Sequence, residues 1–400
     1  MTEQDLLVER LLAAVEQAPP VDSVAVVARI LADQMGARQA RFLITDFHGD
    51  ALWQLPPVTT GPEGNRIDLP GTVYDKVLRS QQLYLADISG SAGECRVLVP
   101  VTARGDAVGL LELITAGRPS PRQQQQIMGA AHALAYVVTS NRRFTDLYES
   151  VRRSIPPTLA AEIQQNLLPD ALSCHTGQAT IAGALEPAHD ISGDTLDYSL
   201  DEKSLHVSLT DAMGHHVHAA LLATLTVSAL RNTRRAHAPL AEQARAAHQA
   251  VCDYGQDATV TGQLLTIELS SGRAHFINAG HPWPLRLRAG QVSEIEPEVD
   301  LPFGAPWDGA YRVQELDLAP GDRLVLLTDG MLERNTTTLD LPACIEAGAG
   351  LHPREAVCSL MRALREATGG NLLDDATVIC VDWHGPSSRQ HTPDTGVPRS

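Results

Sequence analysis

The sequence predicts an α+β chain of two domains joined by a helical linker. Two observations carry that expectation. The 400 residues exceed what one hydrophobic core usually serves, because cores stop growing with chain length and longer chains divide. The apolar period also changes along the chain: helical stripes bracket a few strands in the first part, whereas short strands and tight turns dominate from Thr180 onward.

Residues 1–20 read as an N-terminal helix with acids early and no cationic start, which is not the pattern of a signal peptide. Residues 21–140 read as one α/β module. Val24, Val26, Val27, Ile30 and Leu31 form a helical stripe, and ARFLITD follows as a strand before a loop region rich in Pro, Gly and Thr. CRVLVPVTARGDAVGLLELIT reads as two strands turning at Arg104-Gly105-Asp106, and PRQQQQIMGAAHALAYVVTSNRR as a closing helix. Residues 141–170 read as the linker. Phe144, Leu147, Tyr148, Val151 and Ile155 share one helical face, Pro156-Pro157 interrupt it, and Leu159, Ile163 and Leu167 start a second helix. Such a stripe needs cover, from its own subunit or from the same helix of a second copy, so a homodimer is one expectation. Residues 171–384 form the second domain, and 385–400, rich in Pro, Ser and Thr, are expected to be disordered.

The charge balance, 31 − 48 = −17, excludes the basic face a nucleic acid requires and disfavours an anionic membrane surface. No apolar run approaches the roughly 20 residues of a membrane span. Six scattered cysteines without a C-x-x-C pair suit a reduced, cytoplasmic protein with buried thiols.

Four short motifs carry the chemistry. In SGDTLDY, Gly193 permits a close turn before Asp194, and Asp197 follows as either a supporting group or a turn former. In LHVSLTDAMGHHVHAALL a strand ends at Asp211 and a helix starts after Gly214. RLVLLTDG runs a strand into Asp329-Gly330, and Asp374-Asp375 directly precede the final strand, ATVICVDW. A single Asp-Gly after a strand is most often only a turn. An ordered set of four at strand ends is different, because clustered carboxylates repel one another unless cations bind between them. All-oxygen ligands select Mg²⁺ or Mn²⁺ over zinc, and the chemistry they support is metal-assisted hydrolysis. The histidines His215, His216, His218 and His281 lack zinc-site spacing and have no cysteine beside them. AGHPWPL reads as a turn with Trp283 as a packing anchor.

Two resemblances sharpen this reading. LVPVTARGDAVGLLEL with its closing helix resembles a GAF domain, with a PAS-like module or a ligand-free spacer as alternatives. The segment from Leu159 to Trp383 resembles the SpoIIE-like branch of the PPM-type serine/threonine protein phosphatases. The supporting residues are IQQNLLP, SGDTLDY, TDAMGHHVHAALL, FINAGHPWPL, LPFGA, PGDRLVLLTDGMLE and DDATV, in the family's order. The resemblance implies an α-β-β-α sandwich of two antiparallel sheets and a site for two divalent cations, Mn²⁺ or Mg²⁺. It implies Asp194, Asp211, Asp329 and Asp374 as catalytic carboxylates, with the carbonyl of Ala212 as a further metal ligand. Asp375 is the alternative to Asp374. The implied substrate is a phosphorylated STAS-type anti-sigma-factor antagonist in a bacterial partner-switching pathway, and a small-molecule or protein signal would act at the GAF-like module. Ser192 and His216 stand where the family usually places glycine, which points to a weakly active or inactive scaffold as the alternative. A nucleotide-handling enzyme is a further alternative, against which the sequence shows no phosphate-loop and no histidine–aspartate metal motif.

Overall fold

The Arg104-Gly105 turn has both residues at positive φ, 49° and 85°, the geometry that matches the right-handed twist of two antiparallel strands. It joins β5 (Cys95–Ala103) to β6 (Asp106–Thr115) in a computed structural model that describes residues 3–47, 49–55, 66–88, 90, 93–152, 158–188, 193–255, 257–306, 309–332 and 339–386. The chain divides into two compact units, residues 1–156 and 157–392.

In the first unit α1 (Glu3–Gln17) and α2 (Ser23–Met35) precede β1 (Ala37–Thr45), β2 (Ala51–Leu55) and β3 (Arg66–Asp68). Next come α3 (Val73–Ser80), β4 (Tyr84–Asp87), the β5–β6 hairpin, α4 (Pro121–Asn141) and α5 (Leu147–Arg152). The six strands form one sheet, β3-β2-β1-β6-β5-β4, in which every neighbouring pair is antiparallel. Leu7 and Leu11 of α1 share a core with α2, α4 and Tyr148. The first helix is thus part of this unit and not an appendage to it. α3 lies in a second, smaller cluster with Leu43, Leu98 and Leu110.

The expected linker, 141–170, divides between the units. Tyr148 is fully buried, its hydroxyl donates to the Pro20 carbonyl at 3.3 Å, and Leu147 and Val151 pack on the same core. Among the described residues of the stripe that suggested a homodimer, Leu147, Tyr148 and Val151 are thus covered within their own unit and Phe144 stays exposed. Ile155, Pro156 and Pro157, like the tail beyond residue 386, lie outside the described residues.

The second unit opens with α6 (Leu159–Leu167), capped by the Thr158 hydroxyl on the Ala161 N–H. It continues through β7 (Ser173–His175), β8 (Ala179–Glu186), β9 (Thr195–Leu200), β10 (Ser204–Ala212), α7 (His216–Arg235) and α8 (Leu240–Tyr254). After these come β11 (Val260–Glu268), β12 (Ala274–Ala279), β13 (Leu285–Arg288), β14 (Gln291–Glu294), β15 (Gln314–Leu316) and β16 (Arg323–Leu327). α9 (Leu341–Ala347), α10 (Pro353–Thr368) and β17 (Ala376–Trp383) complete it. Two antiparallel sheets result, β15-β12-β11-β10-β9 and β14-β13-β16-β17-β8-β7. Their inner faces share one core, in which Val207, Leu209 and Phe276 meet Leu324, Ile379 and Trp383. α7 and α8 cover the outer face of the first sheet, and α9 and α10 that of the second. The layers run helix, sheet, sheet, helix.

One end of the sandwich is closed by the Trp383 ring, so close to Gly272 that a Cβ there would stand 2.9 Å from it. Among the described residues no helix is long and apolar enough to cross a membrane. Cys95 and Cys380 are buried as expected of thiols in a core, but Cys252 and Cys358 are exposed.

Candidate active site at the open end of the sandwich

The other end of the sandwich carries the four motifs. β9 and β10 pair antiparallel with Thr195 opposite Thr210, so Asp194 and Asp211 leave the same end of that ladder side by side. β16 and β17 pair with Leu327 opposite Val378, and Asp329, Asp374 and Asp375 flank the matching end of the second sheet. Each sheet contributes an aspartate-bearing pair of strand ends.

Glycine lets the strands come this close. A Cβ on Gly193 would collide with the Ala212 backbone, whose N–H donates to the Gly193 carbonyl at 3.2 Å. A Cβ on Gly330 would collide with the Asp375 carbonyl. Both glycines stand beside a motif aspartate, where backbone meets backbone too closely for a Cβ. The Ala212 carbonyl faces Gly193.

The aspartates occupy two levels. Asp194 and Asp375 are buried, each 2% exposed, whereas Asp211 is half-buried and Asp329 and Asp374 reach the surface. Asp194 accepts the hydroxyls of Thr328 and Thr377 at its Oδ2, at 2.8 and 2.6 Å. Asp375 accepts the Ala188 N–H at Oδ1, at 2.9 Å, and the Gln164 side-chain amide at Oδ2, at 2.8 Å. Asp374 accepts the Asp375 N–H at 2.8 Å. The two adjacent acids, which the motif alone left equivalent, thus differ: Asp375 is locked inward and Asp374 faces outward.

Burial and mutual repulsion raise these carboxyls. Asp194 is pushed well above the usual carboxylate range by burial and then by Asp211 and Asp375, against the two threonine hydrogen bonds. Asp211 is pushed up to about 7 by burial, Asp329 and Asp374. Asp375 also reaches about 7, chiefly through burial, with Asp374 and Asp211 adding to it. Asp329 has an exposed tip, yet surrounding protein volume and the charge of Asp374 raise it too. The charges that act on these groups are those of the other aspartates. Among the described residues no three His, Cys, Asp or Glu side chains stand in a metal-ligating arrangement. The donor chemistry nonetheless fits hard divalent cations, being all carboxylate and carbonyl oxygen with uncompensated negative charge.

Of the two roles expected of Asp197, turn former or supporting group, it is no turn former. It is buried in β9 and paired with Arg231 and Arg234 of α7, at 2.9 and 2.8 Å. Ser192 lies outside the described residues. His216 takes φ 60° at the start of α7, the left-handed conformation that glycine adopts freely. His215 is exposed, and His218 meets the Tyr254 hydroxyl at 3.2 Å. His281 is buried in a turn held by the Asn278 side chain, with Nδ1 2.8 Å from the Thr261 hydroxyl. Burial pushes its pKa down to about 3, so its ring is neutral at physiological pH. Trp283 is 41% exposed and lines a cavity of about 570 Å³ with Leu285, Leu327, Leu332 and Leu341. It is a wall residue and not the packing anchor expected.

Sequence reasoning did not single out Gln164, Thr328 and Thr377. The two threonines were visible as β-branched hydroxyls within two residues of a motif aspartate. Gln164 lies within the quoted IQQNLLP, but its partners are 30 and 211 residues away, so the motif did not reveal what it touches.

Residues 201–384 match the SpoIIE family, stage II sporulation protein E. The chain is 26% identical over 183 residues to the phosphoserine phosphatase RsbP of Bacillus subtilis, covering 44% of this chain and 44% of that protein. It is 24% identical over 233 residues to the phosphoserine phosphatase RsbU of the same organism, covering 56% and 68%. The chain thus spans less than half the length of RsbP. Among solved structures it is similar to the SiaA-PP2C domain of Pseudomonas aeruginosa, at 22% identity and TM-score 0.47, covering 56% and 93%. It is also similar to the RsbU and RsbW domains of a Mycobacterium tuberculosis protein, at 25% identity and TM-score 0.46, covering 53% and 63%.

Proposed function

We propose that this chain is a metal-dependent phosphoprotein phosphatase that hydrolyses phosphoserine or phosphothreonine. The observation that carries the reading is the convergence of aspartate-bearing strand ends from both sheets with only each other's charge upon them. The SpoIIE match over residues 201–384 and the phosphoserine phosphatases RsbP and RsbU support it. Asp194, Asp211, Asp329 and Asp374 would hold two Mn²⁺ or Mg²⁺ ions with the Ala212 carbonyl, and Asp375 would serve beside Asp374. When bound, such ions acidify water and neutralise phosphoryl charge. The contribution of the chain is to fix the carboxylates: Thr328 and Thr377 orient Asp194, while Ala188 and Gln164 orient Asp375.

The substrate in this reading is a phosphorylated STAS-type anti-sigma-factor antagonist within a partner-switching pathway. Residues 21–140 would be a GAF-like sensor for a small-molecule or protein signal, and 171–384 the catalytic domain. The six-stranded antiparallel sheet with its helical layer supports the sensor assignment. A cytoplasmic homodimer belongs to the same reading. Purified protein with Mn²⁺ is expected to release phosphate from a phosphopeptide or an aryl phosphate, and Asp211→Asn or Asp329→Asn to abolish release. Turnover that survives both substitutions would sink the mechanism.

The positive φ of His216 favours a second reading, a scaffold that binds phosphoprotein and turns over poorly. Measured Mn²⁺ affinity without phosphate release from any substrate tested is the outcome that selects it.

A further inference from the structure

Gln164 sits on α6 with its side chain buried at the open end of the sandwich. Its Nε2 lies 2.8 Å from the Asp194 carbonyl oxygen and 2.8 Å from Asp375 Oδ2. Both neighbours are acceptors. Only the NH₂ end of the side chain satisfies them, with one hydrogen for each, so the orientation of the amide follows from chemistry. The two partners belong to different sheets: Asp194 leads into β9, and Asp375 leads into β17. One side-chain group therefore ties the backbone of one sheet to the carboxylate of the other.

We infer that Gln164 is a positioning residue for the cation site, holding Asp375 and the Asp194 main chain in register across the sandwich. The inference rests on the metal-dependent reading above. With the Ala188 N–H on Oδ1 and Gln164 on Oδ2, the Asp375 carboxylate cannot turn about its terminal torsion without losing a hydrogen bond. Each of its oxygens keeps a second lone pair free to face a cation. α6 is itself fixed, because Arg231 donates to the Leu167 carbonyl at 2.5 Å while also pairing with Asp197. The glutamine is therefore presented from an anchored helix. Groups that orient a ligand in this way typically alter metal affinity roughly 10–100-fold when removed.

The test is calorimetric titration of Mn²⁺ into full-length wild type, Gln164→Met, Gln164→Leu, Asp375→Asn and the Gln164→Met/Asp375→Asn double variant. Unfolding midpoints in EDTA report whether each variant folds, and the two apolar replacements guard against one failing to do so. The expected result is a dissociation constant raised about tenfold or more in both Gln164 variants. In the Asp375→Asn background the same substitution is expected to cost less, because the part of its effect that runs through Asp375 is already gone. Unchanged affinity in folded Gln164 variants overturns the inference. So does an equal loss in the Asp375→Asn background, which marks a general packing effect. Absence of Mn²⁺ binding by the wild type overturns the metal-dependent reading itself, and the inference with it.

Discussion

Gly330 and Gly193 touch no substrate in any reading of this site, yet each decides whether it forms. A methyl group on Gly330 meets the Asp375 carbonyl first and then the Ala376 backbone, at the strand end carrying two of the acids. Gly330→Ala is expected to cost about 1–3 kcal/mol, as overpacking against backbone does, and to weaken Mn²⁺ binding at the same time. Urea unfolding and calorimetric titration of the same preparation would check both. His216 is the opposite case. Its ring is exposed and its strain is local, so His216→Gly exchanges an αL histidine for a residue that takes φ 60° freely. Stability is expected to rise by up to about 1 kcal/mol, the relieved strain being partly offset by glycine's larger entropy when unfolded. A fall in the urea midpoint would contradict this.

At the scale of elements, α7 and α6 are held by one buried acid. Asp197 binds both Arg231 and Arg234, and Arg231 in turn closes on the end of α6. Asp197→Ala leaves two guanidinium groups without their anion, and removing one member of a buried pair costs about 2–3 kcal/mol when the partners keep some solvent. Thermal unfolding of the variant would measure that cost. Weaker Mn²⁺ binding is expected alongside, because α6 carries Gln164. This network was not legible in the sequence. LDYSL after SGDT is as compatible with a turn as with a strand, and the arginines that fix the role of Asp197 lie 34 and 37 residues downstream. What was legible is of the opposite kind. The β5–β6 hairpin could be read because its turn residues and alternating apolar flanks are contiguous, and the motif aspartates could be read because strand, acid and glycine adjoin in sequence. α3 and β4 were hidden in a stretch rich in Pro, Gly and Thr, where α3 has only eight residues and no long stripe to declare itself. The cover of the linker stripe was left open because helical periodicity says that a face must be covered, not by what.

For the molecule as a whole, the acids at the open end make stability depend on pH and on cations. Asp211 and Asp375 bind protons more tightly folded than unfolded, at about 7 against a usual 3.8. Their contribution is therefore fully present below pH 3.8 and is lost as pH rises through about 7. In EDTA, the stability of the wild type relative to Asp375→Asn is expected to fall between those limits. Calorimetric midpoints across the range would show it, and a difference that rises with pH would refute it. Added Mn²⁺ is expected to raise the midpoint most at neutral pH, where the carboxylates are free to bind it.

The sandwich is closed unequally, by Trp383 against Gly272 at one end and by mutually repelling acids at the other. That inequality should be written along the strands as a gradient of amide hydrogen exchange. Without cation, the N–H groups of β10 near Asp211 and of β17 near Ala376 should trade for deuterium sooner than those near Leu205 and Trp383, as local opening starts where repulsion is stored. A divalent ion joining the two sheets would level the gradient, and the last amides to be protected would report the order in which this end of the protein closes.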